Sequence, residues 1–144
     1  MDELVPGREC GDCTLCCSAP AIDKPDIQKV AGSLCRHCVD KRCSIYQTRP
    51  QVCRTYYCAW RRLNIFGDDW RPDKSGVFAE LEAADVPPGA PSSIAIGLTL
   101  VGNPLKTVRQ PWFIDFVATG VTNDVPLFLG LPGPRGHQGA KVLL

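Results

Sequence analysis

The chain has 144 residues, enough for one domain or two small lobes, and its 44% apolar content permits a packed core and argues against wholesale disorder. Sixteen Lys and Arg against fifteen Asp and Glu leave a formal net charge of +1, which argues against a polybasic binder of nucleic acid or membrane surfaces. No run approaches the roughly 18 apolar residues of a membrane span, and the opening MDELVPGREC is acidic and lacks an apolar stretch, so no signal peptide is read and the expected compartment is the cytoplasm.

All nine cysteines lie between Cys10 and Cys58, with none in the 86 residues that follow. A single buried Cys is ordinary packing. An odd and clustered set in a reducing compartment points instead to metal or redox chemistry, ahead of disulfides. The first group is Cys10-Gly-Asp-Cys13-Thr-Leu-Cys16-Cys17. A two-residue gap lets a tight turn aim two sulfurs at one ion, and here two such gaps are chained. On a helix the four would share a face about 120° wide by the ~100° step, and a loop wrapped around an ion would converge them as well. Adjacent side chains diverge in extended backbone, so Cys17 is expected to face a second site or to pack.

The second group is Cys35-Arg-His-Cys38, followed by Cys43. His37 reads as a surface histidine rather than a ligand. Further on, Pro50 suits the start of a helix. Val52, Tyr56, Trp60 and Leu63 recur at helical spacing, which predicts a helix from about 50 to 63. Cys53 and Cys58 would stand roughly 140° apart around its axis. They therefore serve different sites, or the helix unwinds near Tyr57.

The composition changes near residue 72, dividing a cysteine region, 1–72, from a small α+β region, 73–144, the two expected to form one compact domain. Residues 77–81 predict a strand, 83–93 a Pro/Gly loop, and 94–101 a second strand paired with the first. Pro104 suits a helix start, and Leu105, Val108, Trp112, Phe113, Phe116 and Val117 predict a helix over 105–119. Pro111 implies a kink or early break in it, and Gly120 suits its end. A third strand is expected over 125–130, a Gly/Pro loop after it, and a fourth strand over 141–144. The glycines at 130, 133, 136 and 139 have a collagen-like period but too few triplets for a triple helix. The fold class is α+β: an irregular, helix-containing Cys-rich lobe on a small lobe with a mostly antiparallel sheet and one helix.

The neutral net charge conceals a basic stretch. Between 41 and 71 stand Lys41, Arg42, Arg49, Arg54, Arg61, Arg62 and Arg71 against only Asp68 and Asp69. A tetrathiolate Zn2+ or [4Fe–4S] centre carries about −2, which nearby arginines would offset. A solvated helix face explains the same residues equally well.

The order Cys10-x2-Cys13-x2-Cys16-Cys17, Cys35, Cys43-x-Ile-Tyr-x-x-Arg49-Pro50-x-x-Cys53-Arg54, Cys58 resembles the CxxCxxCC cysteine-cluster family, YkgJ-like bacterial proteins described as a zinc- or iron-chelating domain. The resemblance covers about residues 8–60. It implies a metal centre held by Cys10, Cys13, Cys16, Cys17, Cys35, Cys43, Cys53 and Cys58. Cys38 is additional to the motif and is the expected spare. Flagellin lysine N-methylases carry a related cluster, which implies that such a domain can accompany enzymes and hold iron–sulfur. Arg49, Tyr46 and Arg54 are expected to stand behind the ligands: Arg49 reaching thiolates or carbonyls at the rim, and Tyr46 packing.

Thiolate-only coordination suits both an iron–sulfur cluster and Zn2+. Eight thiols suffice for two sites, [4Fe–4S] being placed ahead of zinc. The ferredoxin continuation x3-Cys-Pro is absent, because Cys17 follows Cys16 at once. The expected function is a metal-binding protein in redox, sensing or metal handling. The alternatives are a zinc-stapled structural module and an accessory subunit of a modifying enzyme, so an unknown protein partner is possible beside the metal ion. No H-E-x-x-H, G-x-S-x-G or dinucleotide fingerprint is present, and no catalytic residue is assigned.

Overall fold

The computed structural model describes residues 4–11, 13–83, 94–134 and 139–144. Ala83 of the expected 83–93 loop is the last residue of a strand; the rest of that loop and the centre of the 130–140 loop lie outside these residues. In the N-terminal part the elements are short. Helix α1 spans Leu15–Ser18, and two small hairpins follow, β1 (Ile22–Lys24) with β2 (Ile27–Lys29) and β3 (Cys38–Val39) with β4 (Arg42–Cys43). In the second hairpin Asp40 and Lys41 take positive φ and close a two-residue turn that sets Cys38 directly opposite Cys43.

The predicted helix over 50–63 is interrupted. Helix α2 covers Gln51–Thr55 and α3 covers Ala59–Arg62, with extended backbone at Tyr56 and Cys58. The run between them, Thr55 to Cys58, is β-branched, aromatic or Cys, all weak helix formers. Large side chains on either side of the break also go to different places. The Tyr56 hydroxyl donates to Glu80 Oε1 at 2.6 Å, whereas Trp60 is buried with its Nε1 donating to the Gly67 carbonyl at 3.1 Å.

Helix α4 (Pro72–Ser75) leads into β5 (Val77–Ala83), β6 (Ile94–Leu100), α5 (Pro104–Thr107), α6 (Pro111–Thr122), β7 (Leu127–Gly130) and β8 (Lys141–Leu143). The sheet order is β5-β6-β7-β8. β5–β6 and β7–β8 are antiparallel and β6–β7 is parallel. A parallel pair needs a crossover, which α5 and α6 provide. The expected single helix over 105–119 is thus two, broken where Pro111 becomes the first residue of α6. Gly120 does not end it. α6 continues to Thr122, and Gly120 lies where a Cβ would come 2.7 Å from Leu127 Cδ1, so its role is close helix–sheet approach.

Alternation along the strands decides which face is covered. Val77 and Ala79, Ile96, Leu98 and Leu100, and Leu127 join one core with Phe113 of α6 and with Ala59, Trp60, Phe66 and Trp70. The compositional boundary at residue 72 therefore does not coincide with the packing boundary, which falls between Cys58 and Ala59. Among the described residues from 4 to 58 only Ile27 and Pro50 are buried. A cleft of about 570 Å3, lined by Glu80, Glu82 and Thr99 of the sheet, separates β5 and β6 from residues of the 15–21 segment. No helix among the described residues is long and apolar enough to cross a membrane.

Candidate metal centre

Two of the three C-x2-C steps close as hydrogen-bonded turns. The Cys13 amide donates to the Cys10 carbonyl at 2.9 Å and the Cys38 amide to the Cys35 carbonyl at 3.0 Å. The Cys35 amide donates to the Cys17 carbonyl at 2.8 Å, tying the second group to the first. Gly11, between Cys10 and Cys13, has φ of +54°, a conformation that favours glycine, and a Cβ there would meet the Arg71 guanidinium at 3.0 Å. Arg8 fastens this ligand-bearing segment to the core. Its guanidinium donates to the carbonyls of Trp60, Leu63 and Phe66 and lies 4.9 Å from the Trp60 ring centre.

Eight of the nine cysteines, all but Cys58, line one cavity of about 700 Å3. All nine are free thiols and half-buried. They fall into two sets of neighbours. Cys13, Cys16 and Cys58 each lie within the field of Cys10, and these four line a small pocket of about 40 Å3 beneath Tyr57, Trp60 and Arg61. Cys38 and Cys53 each lie within the field of Cys17, Cys35 and Cys43. Cys53 and Cys58 thus stand in different sets, whereas Cys16 and Cys17, hydrogen-bonded to each other, join the two. Among the described residues no three Cys, His, Asp or Glu side chains converge closely enough to hold a metal ion as they stand. The chemistry of the donors suits one nonetheless: zinc and iron–sulfur clusters both take four thiolates, and each set supplies at least four.

The thiols differ electrostatically from one another. Burial pushes the thiols of Cys13, Cys38, Cys53 and Cys58 up. The hydrogen bond between Cys16 and Cys17 raises Cys16 and pulls Cys17 down to about 6, with a further thiol bond from Cys38 and the charge of Lys29 assisting. Lys29 is held there by bonds to the carbonyls of Ser18, at 3.1 Å, and Pro20. The metal-free protein is therefore expected to show a Cys17 alkylation rate that climbs with pH to a midpoint near 6 and then levels, while Cys13, Cys53 and Cys58 are still gaining rate past pH 9. A lower thiol pKa also lowers nucleophilicity, so at pH 7 the advantage of Cys17 is only a few-fold and the pH profile is the sharper readout. Peptide mapping after timed alkylation measures it, and a Cys17 midpoint above 8 would refute the assignment.

Around the thiols, Arg49 Nε donates to the Tyr46 carbonyl at 3.0 Å and its guanidinium stacks 3.9 Å over the Tyr46 ring. Arg49 lines the large cavity, and its charge acts to lower the Cys53 pKa. Tyr46 is 58% exposed and so does not pack in the core; its ring supports Arg49. Arg54 is exposed on α2, away from the cavity wall. His37 is half-buried in that wall, its backbone amide 3.4 Å from Cys35 Sγ. Of the basic stretch, Lys41, Arg42 and Arg49 line the large cavity, while Arg61 and Arg71 line the small pocket. Arg61 Nη1 donates to Cys10 Sγ at 3.3 Å. Arg8, Lys29 and Glu80 were not legible as site residues, because each acts through backbone carbonyls or a distant strand rather than through a motif.

Burial pushes the Glu80 carboxyl up, opposed by the Tyr56 hydrogen bond, and burial keeps Tyr56 protonated far into the alkaline range. Tyr56→Phe is expected to destabilise the protein by about 1–3 kcal/mol at pH 7, the cost of leaving a buried acceptor without its donor. The hydrogen bond favours the carboxylate, so the loss shrinks as acid protonates Glu80. Urea unfolding at pH 7 and pH 4 checks this, and equal losses at both would refute it.

No protein-family model matches the chain, and no characterised protein or solved structure matches it significantly.

Proposed function

We propose that this chain is a metal-binding protein whose clustered thiolates hold an iron–sulfur cluster, zinc, or both, in a redox, sensing or metal-handling role. The observation that carries the reading is the placement of eight cysteines around one cavity in a segment that buries almost no apolar side chains. Thiolates without a metal would gain little from such clustering, since burial and mutual repulsion raise several of their pKa values. A bound cation reverses that cost, because metal binding deprotonates its thiols and draws them together. A reducing compartment such as the cytoplasm suits nine unpaired thiols.

The same lack of core favours a second reading, in which the metal is chiefly a structural staple for residues 4–58. Colour separates the two: brown protein with bound iron and sulfide supports the first, and colourless zinc protein that unfolds on chelation supports the second. Cys13→Ala and Cys53→Ala are each expected to lower metal content per chain, while Cys38→Ala retains it. Full metal occupancy in both Cys13→Ala and Cys53→Ala would overturn the proposal.

A further inference from the structure

The cysteines are not equally placed to react with one another. In the hairpin of β3 and β4, Val39 pairs with Arg42 and Cys38 with Cys43. One step further from the turn, the Ser44 amide donates to the His37 carbonyl at 2.7 Å. Hydrogen-bonded and non-hydrogen-bonded pairs alternate along an antiparallel ladder, so Cys38 and Cys43 form a non-hydrogen-bonded pair. Such a pair holds its two Cα atoms roughly 4.5 Å apart, inside the roughly 4.4–6.8 Å that a disulfide bridges. The positive φ of Asp40 and Lys41 fixes the two-residue turn and with it this register. Among the described residues no other two cysteines face each other across a ladder. Cys38 has further thiol neighbours in Cys17, to which it is hydrogen-bonded, and Cys35. Cys17 lies on a separate segment, and Cys35 is joined to Cys38 by a single turn hydrogen bond, so neither is held opposite it by pairing on both sides. Cys43 is among the expected ligands, whereas Cys38 is the thiol outside them. Val39, Asp40, Lys41 and Arg42 are exposed, which opens the hairpin tip to small solutes. Exposed disulfides are the labile and regulatory ones.

We propose that Cys38 and Cys43 form a reversible dithiol–disulfide pair, through which a small-molecule disulfide withdraws Cys43 from the metal centre. This deepens the function proposed above and rests on it, since Cys43 must be a ligand. The Cys38 thiolate attacks one sulfur of the oxidant RSSR, forming Cys38–S–S–R and releasing RS−. The Cys43 thiolate then attacks the Cys38 sulfur. The Cys38–Cys43 bond forms, the second RS− departs, and Cys43 is lost as a ligand. Two electrons pass from the pair to RSSR. Both RS− leave as RSH, one with the proton of Cys38 and one with a proton from solvent. Excess dithiol reverses the exchange and returns Cys43 to the metal.

The test uses the full chain loaded with Zn2+ (or with iron where zinc is not taken up), treated with oxidised glutathione and digested with trypsin. Arg36, Lys41 and Arg42 put Cys35, Cys38 and Cys43 on three separate peptides, so each bond is read directly. The expected product is the Cys38–Cys43 bond, formed together with metal release, both reversed by dithiothreitol with metal present. Cys38→Ser takes up metal and loses it at least about tenfold more slowly under the same oxidant, because the attacking thiol is gone. A bond from Cys38 to Cys17 or Cys35 in place of Cys43, or equal release from the unsubstituted chain and Cys38→Ser, overturns the switch. The peptide map is read on the unsubstituted chain, so it decides the pairing whether or not the variant folds. A chain that binds metal yet forms no bond at Cys38 overturns the switch alone. A chain that binds neither zinc nor iron overturns the metal-binding proposal, and the switch with it, which keeps the two failures distinct.

Discussion

Stripping metal from the protein is expected to expose residues 4–58 to rapid amide exchange while β5, β6, β7 and α6 remain protected. The reason is the distribution of buried surface. Ile27 and Pro50 are the buried residues among those described in that N-terminal span, whereas the core runs from Ala59 to Leu127. Backbone ordering costs about 1–2 kcal/mol per residue, which short hairpins with half-buried side chains do not offset. A structural tetrathiolate zinc contributes on the order of 10–16 kcal/mol at neutral pH, and that contribution vanishes when the metal is removed. Hydrogen exchange with and without chelator, read by peptide, distinguishes the halves. Unchanged protection over residues 13–58 would contradict the account.

Phe66→Ala is expected to destabilise the sheet half by about 3–5 kcal/mol, independent of metal. Phe66 is fully buried, and its ring centre stands 5.0 Å from that of Trp70 and 4.9 Å from that of Phe116. Removing it opens a cavity at the junction of the 66–70 segment with α6 and also costs the aromatic contacts. Thermal unfolding of the metal-loaded variant should show a markedly lower transition for the sheet half, with metal content preserved. A change below about 1 kcal/mol would mean that the site repacks and that Phe66 does not anchor the core.

The second half was the more legible in sequence. Strands over 77–81 and 94–101, their pairing, the break at Pro111 and a strand near the end all correspond to observed elements, because each combines a periodic apolar face with a Pro or Gly signal. The parallel register of β6 and β7 was not legible, since strand direction depends on the crossover and not on local pattern. In the cysteine half, helical periodicity over 50–63 concealed the break at Tyr56–Cys58, where tertiary contacts of Tyr56 with Glu80 and of Trp60 with the core outweigh local propensity. The hairpins have strands of two or three residues, too short for any period, and the Asp40–Lys41 turn lacks the Gly or Asn that usually announces it. Phe66 and Trp70 escaped notice because they lie outside long elements, in a segment whose packing only the tertiary structure reveals.

The central claim is that these thiolates hold metal, and elemental and sulfide analysis of the anaerobically purified full chain tests it most directly. The account predicts bound metal, as zinc or as iron with acid-labile sulfide, and few thiols reactive until a chelator is added. A folded N-terminal half that contains no metal and presents all nine thiols to reagent would contradict it.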